Sequence, residues 1–414
     1  MNPFEGKTKQ LSDYIVDWKK LYSHPYNKKT TDPYTKIRII LMNGTEFESV
    51  WNSHQFSRHE ADLDLKRDIA LLRRVEQQQQ KRIASLKPAD ESILETTIGY
   101  EMLAVDLTAA LAQSEGSPLV KKALDFALLE DFDHLYRYSD LLEGERHIKA
   151  ENLVGKYVEL MPGRPTISHH RYPADDIKPY IGPGDDLLTK LNVNIITAAE
   201  QQTMNYYMNV GSLYDSDEGR KLYHEIAIVE EQHVSHYGSL KNPNCTWLET
   251  LLLHEYTECY LYYSCYQTET DKNVKSLWEE LYEQEVCHLQ YVGDLLRKYE
   301  KREPCEIISN PEFPQLLHLK PSKEYVRQVL SSVNITAYRE DYKEVCSMGE
   351  DADFFAYQKT VNPSITIVPS HLVMKEYIEK NGKDYRYQEG AHPIHALDDR
   401  MKDNTKEGRD PSCG

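Results

Sequence analysis

Two Glu-x-x-His pairs, Glu230/His233 and Glu285/His288, each follow a further glutamate, Glu200 or Glu255, by thirty residues. On an α-helix, residues i and i+3 share a face, so each pair can reach one ion. The upstream glutamates come from two more helices and can bridge a pair of ions. Carboxylate oxygens mixed with imidazole nitrogens suit divalent iron or manganese. One Glu-x-x-His would carry little weight, because both residues are common on helices. Two of them, behind the same upstream spacing, make up the donor set of a carboxylate-bridged two-metal site inside a helix bundle.

The same pattern recurs earlier in the chain. Glu46, Glu76, Glu101 and Asp131 stand 154 residues before Glu200, Glu230, Glu255 and Glu285. Bland neighbours keep that register: Ser85-Leu86-Lys87 lies over Ser239-Leu240-Lys241, Leu94-Glu95-Thr96 over Leu248-Glu249-Thr250, and His134-Leu135 over His288-Leu289. A single ungapped shift that aligns ligand-type and ordinary residues alike indicates an internal duplication. The first copy departs in two places: Gln79 stands where the second copy has His233, and Asp131 is one methylene shorter than Glu285.

The helices that position these residues can be phased by their apolar stripes. In the second copy the stripes are Val193, Ile196, Glu200, Met204 and Tyr207; then Leu222, Ile226, Glu230, His233, Tyr237 and Leu240; then Leu248, Leu251, Leu252, Glu255, Cys259 and Tyr262; then Val274, Leu277, Leu281, Glu285, His288, Val292 and Leu295. Each acid sits in the middle of its stripe. An unpaired charge there costs several kcal/mol, so converging acids need a common partner. The first copy repeats the stripes around Glu76, Glu101 and Asp131/His134. Its first helix is ambiguous: residues 38–48, with Asn43-Gly44 at the centre, also fit a β-hairpin. The register places Glu46 over Glu200 and therefore predicts a helix.

The linear organisation follows. Residues 1–35 form an N-terminal arm, 36–143 the first helical repeat, 144–184 a long connection rich in proline and glycine, 185–300 the second repeat, and 301–414 an irregular extension. Within the extension, Lys323–Cys346 is amphipathic and predicts a peripheral helix. Net charge is 49 − 67 = −18, which disfavours a nucleic-acid partner. No stretch approaches the roughly 18 apolar residues of a membrane span, and no signal-type segment opens the chain, so a cytoplasmic, membrane-free location is expected. The seven cysteines include no C-x-x-C pair, which argues for reduced thiols and against a built-in zinc ribbon or rubredoxin-type iron centre. His169-His170 in the connection could bind metal but read first as a solvated loop pair, and His54, His59, His392 and His395 are weaker candidates still. The thirty tyrosines, dense over Tyr256–Tyr266, read first as packing and second as carriers of electrons.

In these residues the chain resembles the ferritin-like superfamily, which contains ferritins, rubrerythrins and related di-iron proteins. The resemblance covers most of residues 36–300 and implies an all-α fold of tandem four-helix bundles. It further implies a di-iron centre ligated by Glu200, Glu230, His233, Glu255, Glu285 and His288, with Glu46, Glu76, Glu101, Asp131 and His134 as first-copy equivalents. Bundles of this type join their hairpins by a long crossover, and the one long connection here lies between the copies. Two pairings follow. Each copy can close on itself, or the central hairpins can pair (Glu101, Asp131, His134, Glu200, Glu230, His233) and leave the outer ones to each other (Glu46, Glu76, Gln79, Glu255, Glu285, His288).

The expected function is reduction of peroxide or dioxygen at the di-iron centre, with electrons from an unidentified donor protein. The alternatives are an iron-binding ferroxidase without turnover, a manganese catalase-like enzyme, and a scaffold with structural metal. A homo-oligomer is compatible with all four.

Overall fold

Four helix starts in the first half recur 154 residues later. The computed structural model describes residues 1–160 and 169–382. Pro162, Gly163, Pro165, His392, His395 and Cys413 fall outside them. In chain order the helices are α1 (Pro33–His59), α2 (Leu63–Ala84), α3 (Ile93–Ser114), α4 (Pro118–Arg146), the short α5 (Ala150–Leu153), α6 (Leu187–Leu213), α7 (Asp217–Ser239), α8 (Trp247–Thr268), α9 (Lys272–Leu295), α10 (Lys323–Val329), α11 (Asp353–Val361) and α12 (Pro369–Asn381). Asp32 accepts from the Tyr34 amide ahead of α1, and Asp186 from the Leu188 amide ahead of α6. Asp62 and Ser216 cap α2 and α7. Ser92 with Glu95, and Thr246 with Glu249, form reciprocal capping boxes on α3 and α8. Asp271 caps α9, and Ser117 holds the same position before α4 without a capping hydrogen bond from its side chain. Each such cap is worth about 1 kcal/mol, and the duplicated positions start the same helices twice.

The protein is mostly helical, with one two-stranded sheet among the described residues. No described helix is long and apolar enough to cross a membrane. Contacts divide the chain into two compact units that interleave along the sequence. Unit 1 contains Met1–Glu91, Ile181–Gln202 and Lys241–Leu319; unit 2 contains Ser92–Tyr180, Thr203–Leu240 and the chain from Lys320 on.

In unit 1, α1 packs on α2 and α8, and α9 packs on α8 and α2. This is the outer pairing of the two left open by the sequence. The N-terminal arm adds short 3-10 turns against α2 and α9. Residues 38–48 are helical, as the register requires. The glycine of Asn43-Gly44 serves a close approach instead of a turn: a Cβ on Gly44 would lie 2.9 Å from Cβ of Gln202 on α6.

In unit 2, α3 packs on α4, α4 on α7, and α12 covers both α4 and α7. The amphipathic stretch Lys323–Cys346 is not one helix. It is helical only to Val329, then makes a 3-10 turn (Leu330–Ser332) and an antiparallel hairpin, β1 (Ile335–Tyr338) and β2 (Asp341–Glu344). Val333, Ile335 and Thr336 are β-branched and favour the extended chain. Arg339 takes the left-handed conformation (φ 52°) that the two-residue turn demands. The C-terminal part is thus less irregular than its composition suggested, because α10, the hairpin, α11 and α12 all belong to unit 2.

Candidate metal centres

Unit 1 gathers Glu46 of α1, Glu76 and Gln79 of α2, Glu255 and Glu258 of α8, and Glu285 and His288 of α9, all essentially inaccessible to solvent. Glu76, Glu255, Glu285 and His288 present ligand atoms within 4.8 Å of one another, and so do Glu46, Glu76 and Glu258. Glu76 is common to both groups, so its carboxylate could reach two ions at once. Nδ1 of His288 lies 2.8 Å from Glu76 and 3.3 Å from Glu285. Gln79 donates to Oε1 of Glu285 at 2.5 Å, so it faces the cluster from the position where the second copy has His233. Tyr262 donates to Glu46.

Five buried carboxylates here face one another, and no lysine or arginine among the described residues forms an ion pair with any of them. The consequence is electrostatic. Burial, reinforced by the neighbouring acids, pushes Glu46, Glu255 and Glu258 well above the usual carboxylate range. Burial disfavours charge on His288, but Glu285 and Glu76 outweigh it and hold the imidazolium well above its ordinary value. Without a cation, protons must occupy this cluster. Both carboxylate oxygens of Glu255 and Nε2 of His288 make no hydrogen bond with the protein. Oxygen donors, one imidazole and unsatisfied buried lone pairs are what a divalent ion needs.

Unit 2 repeats the arrangement. Glu101 of α3, His134 of α4 and Glu230 of α7 present ligand atoms within 4.8 Å of one another. Nδ1 of His134 is 2.9 Å from Glu230, while Nδ1 of His233 is 3.2 Å from Glu230 and 3.3 Å from Asp131. Glu230 is the shared acid, and it is the register counterpart of Glu76. Burial works against its charge, but His134 and His233 hold it well below the usual range. Glu200, the register counterpart of Glu46, is buried on α6. The central residues Glu101, Asp131, His134, Glu230 and His233 therefore belong to one unit, and the outer residues Glu46, Glu76, Glu255, Glu285 and His288 to the other.

Four residues near the centres escaped the sequence reading, one of them His254, buried with Nε2 3.4 Å from Glu258. Glu258 follows Glu255 by one helical turn, and that i, i+3 spacing is the signal that marks it. Glu130 accepts from the far side of His233, with Nε2 to Oε2 at 2.7 Å, and receives Arg171 at 2.6 Å. Arg171 is wholly buried and also pairs with Asp176. Neither residue had a repeat signal, since Glu130 lies over Gln284 and Arg171 comes from the connection. His169 and His170 are buried, not solvated: His169 faces Asp133 at 3.4 Å and His170 faces Glu225 at 3.5 Å. They lie with Arg137 and Ser370 around a cavity of about 10 Å³, room for about one water.

Compared with known proteins, the chain matches no family model, and no curated protein or solved structure is significantly similar to it.

Proposed function

We propose that the chain is an internally duplicated ferritin-like protein in which each unit carries a carboxylate-bridged pair of divalent ions, that the working metal is iron, and that the protein reduces peroxide or dioxygen. The observation that carries the reading is the unit 1 cluster, where five carboxylates and two histidines, His288 and His254, are buried together without a compensating lysine or arginine. Such a group is costly unless cations join it. Glu76 and Glu230 would be the acids shared between two ions. Glu255, Glu285 and His288 would hold one ion in unit 1, with Glu46 and Glu258 for the other; Asp131 with His233, and Glu101 with His134, would do the same in unit 2.

Bound iron supplies Lewis-acid polarisation and electrons to an oxygen substrate. The chain supplies the rest. Aliphatic residues above and below each acid keep bulk water out, and Tyr207 and Tyr262 hold Glu101 and Glu46 by hydrogen bonds. Glu130 fixes the tautomer and direction of His233.

The test is metal analysis of protein purified from its native source, followed by mixing the ferrous form with peroxide. Rapid oxidation is expected. Glu230→Ala should remove one centre's worth of metal and its oxidation phase while leaving helical content unchanged. Metal-replete protein that binds ions stoichiometrically but shows no oxidation would leave only a holding or structural role.

A further inference from the structure

Unit 2 contains a chain of tyrosine rings that begins at a proposed ligand and reaches the protein surface. Tyr207 is buried and donates its hydroxyl hydrogen to Glu101. Its ring centroid lies 5.7 Å from Tyr206, and Tyr206 stacks on Tyr100 at 4.3 Å with the planes 2° apart. Tyr207 also lies 5.3 Å from Tyr138 and 5.7 Å from Tyr223, which are themselves 4.9 Å apart. Tyr206 is partly exposed and donates to the Ile93 carbonyl at 3.2 Å.

Packing alone does not ask for these residues. The duplication places the same helix positions in unit 1 or in the other copy, and there the fold is satisfied without tyrosine. Tyr138 lies over Val292, Tyr223 over Ile69, Tyr207 over Ser53, Tyr206 over Asn52 and Tyr100 over His254. Burying a phenol hydroxyl costs more than burying valine or isoleucine unless it is paired. Tyr262 makes the matching contact to Glu46 in unit 1 and packs on Trp278, whereas Tyr207 continues into the rings of Tyr206, Tyr100, Tyr138 and Tyr223, so this run of rings serves something other than the bundle.

We propose that this cluster is an electron-entry path, with Tyr206 the surface terminus, Tyr207 the contact to the centre, and Tyr138 with Tyr223 a buried reservoir for the oxidised state. The proposal rests on the reading above only for what lies at the inner end. In each step one electron leaves Tyr207 for the centre, and its phenolic proton moves along the hydrogen bond toward Glu101. Tyr206 then refills Tyr207 with one electron, the shared proton returns to Tyr207, and Tyr206 gives its own proton to water. A one-electron reductant at the surface restores Tyr206, which takes a proton back. Two such cycles deliver the two electrons that, with two protons from solvent, convert one peroxide to two waters. Tyr138, Tyr207 and Tyr223 are all buried, which favours the neutral phenol able to lose an electron and a proton together.

The experiment has a metal-free arm and an iron-loaded arm, both on the full chain. In the first, metal-free protein is oxidised by flash-quench with a ruthenium polypyridyl and methyl viologen, and tyrosyl radical is followed by its absorption and by EPR. A long-lived radical component is expected. Tyr206→Phe should reduce its yield several-fold and Tyr207→Phe should shorten its lifetime several-fold, while Tyr256→Phe, outside this cluster, should change neither. A long-lived component indifferent to both substitutions, or none at all, overturns the path. Tyr206→Phe, at a half-buried position, carries the test should Tyr207→Phe fail to fold. In the second arm, ferrous protein is frozen after mixing with peroxide; a tyrosyl signal lost in Tyr207→Phe and prolonged in Tyr206→Phe is expected. Success in the metal-free arm with no signal in the second would retain the path and remove the peroxide chemistry.

Discussion

At the residue scale, the acids of unit 1 set the sign of the pH response. Glu46, Glu255 and Glu258 are pushed up by burial and by one another, so folding penalises their ionised forms. A carboxylate whose folded value is raised makes the protein less stable as pH rises above its unfolded value. His288, held high by Glu285 and Glu76, adds stability below its unfolded value that is lost as pH rises through the folded one, which is the same direction. Glu230, held low, gives its full contribution already above the ordinary carboxylate range and opposes neither. Metal-free protein should therefore show a falling Tm from about pH 5 to about pH 8, and saturating metal should abolish the slope. Glu255→Gln should flatten the metal-free slope; a metal-free Tm that rises over that range would contradict the cluster as described. Gln79 offers a second test. It already touches Glu285, so Gln79→His should raise affinity at the unit 1 centre, on the order of tenfold by comparison with other ligand-tuning changes. Unchanged metal content would remove Gln79 from the site. Most of this ligand set was readable from spacing, because helix periodicity and the 154-residue offset both act on it. Glu130 and Arg171 were not, because their roles arise from one unit's packing and leave no repeated trace.

Elements tell a similar story about what periodicity can and cannot fix. Seven of the eight long helices were legible from their apolar stripes, and α1 only from the 154-residue register. Asn43-Gly44 carried a local turn signal that the register overruled, and the geometry at Gly44 supplies the reason. Residues 323–346 went the other way: apolar spacing there fits a helix, but β-branched residues and the turn at Arg339 decide for a hairpin. The α1–α6 approach yields a prediction whose sign is informative. On an open helix face, Gly→Ala stabilises by roughly 1 kcal/mol. At Gly44 the new methyl meets the Cβ of Gln202, a backbone-anchored atom that cannot swing aside. Gly44→Ala should therefore destabilise by about 1–3 kcal/mol, read as a lower denaturation midpoint. A stabilised variant would mean the two helices have slack at that point.

For the whole molecule, the two clusters proposed as metal centres share one sequence pattern and differ in their surroundings. Linear order hid this, since neither unit is a continuous stretch of chain and only topology decides which hairpins share a core. In unit 2, the far nitrogen of His233 is held by Glu130, which is in turn held by Arg171. In unit 1, the far nitrogen of His288 has no hydrogen bond, and Gln284 stands where the register would place that carboxylate. A carboxylate behind a ligating imidazole fixes its tautomer and raises its basicity, and losing it costs roughly 10–100-fold in metal affinity. Unit 1 has the further handicap of Gln79 in place of a histidine. Titration of metal-free protein with ferrous or cobaltous ion should therefore be biphasic, with about two ions in each class if both centres are dinuclear, and the tight class belongs to unit 2. Glu130→Gln keeps the shape of the side chain but removes the charge, so it should weaken the tight class on the order of tenfold and leave the weak class alone. Equal affinity at both centres, or a substitution that shifts both classes together, would show that the buried Glu130–Arg171 pair serves only to pack unit 2.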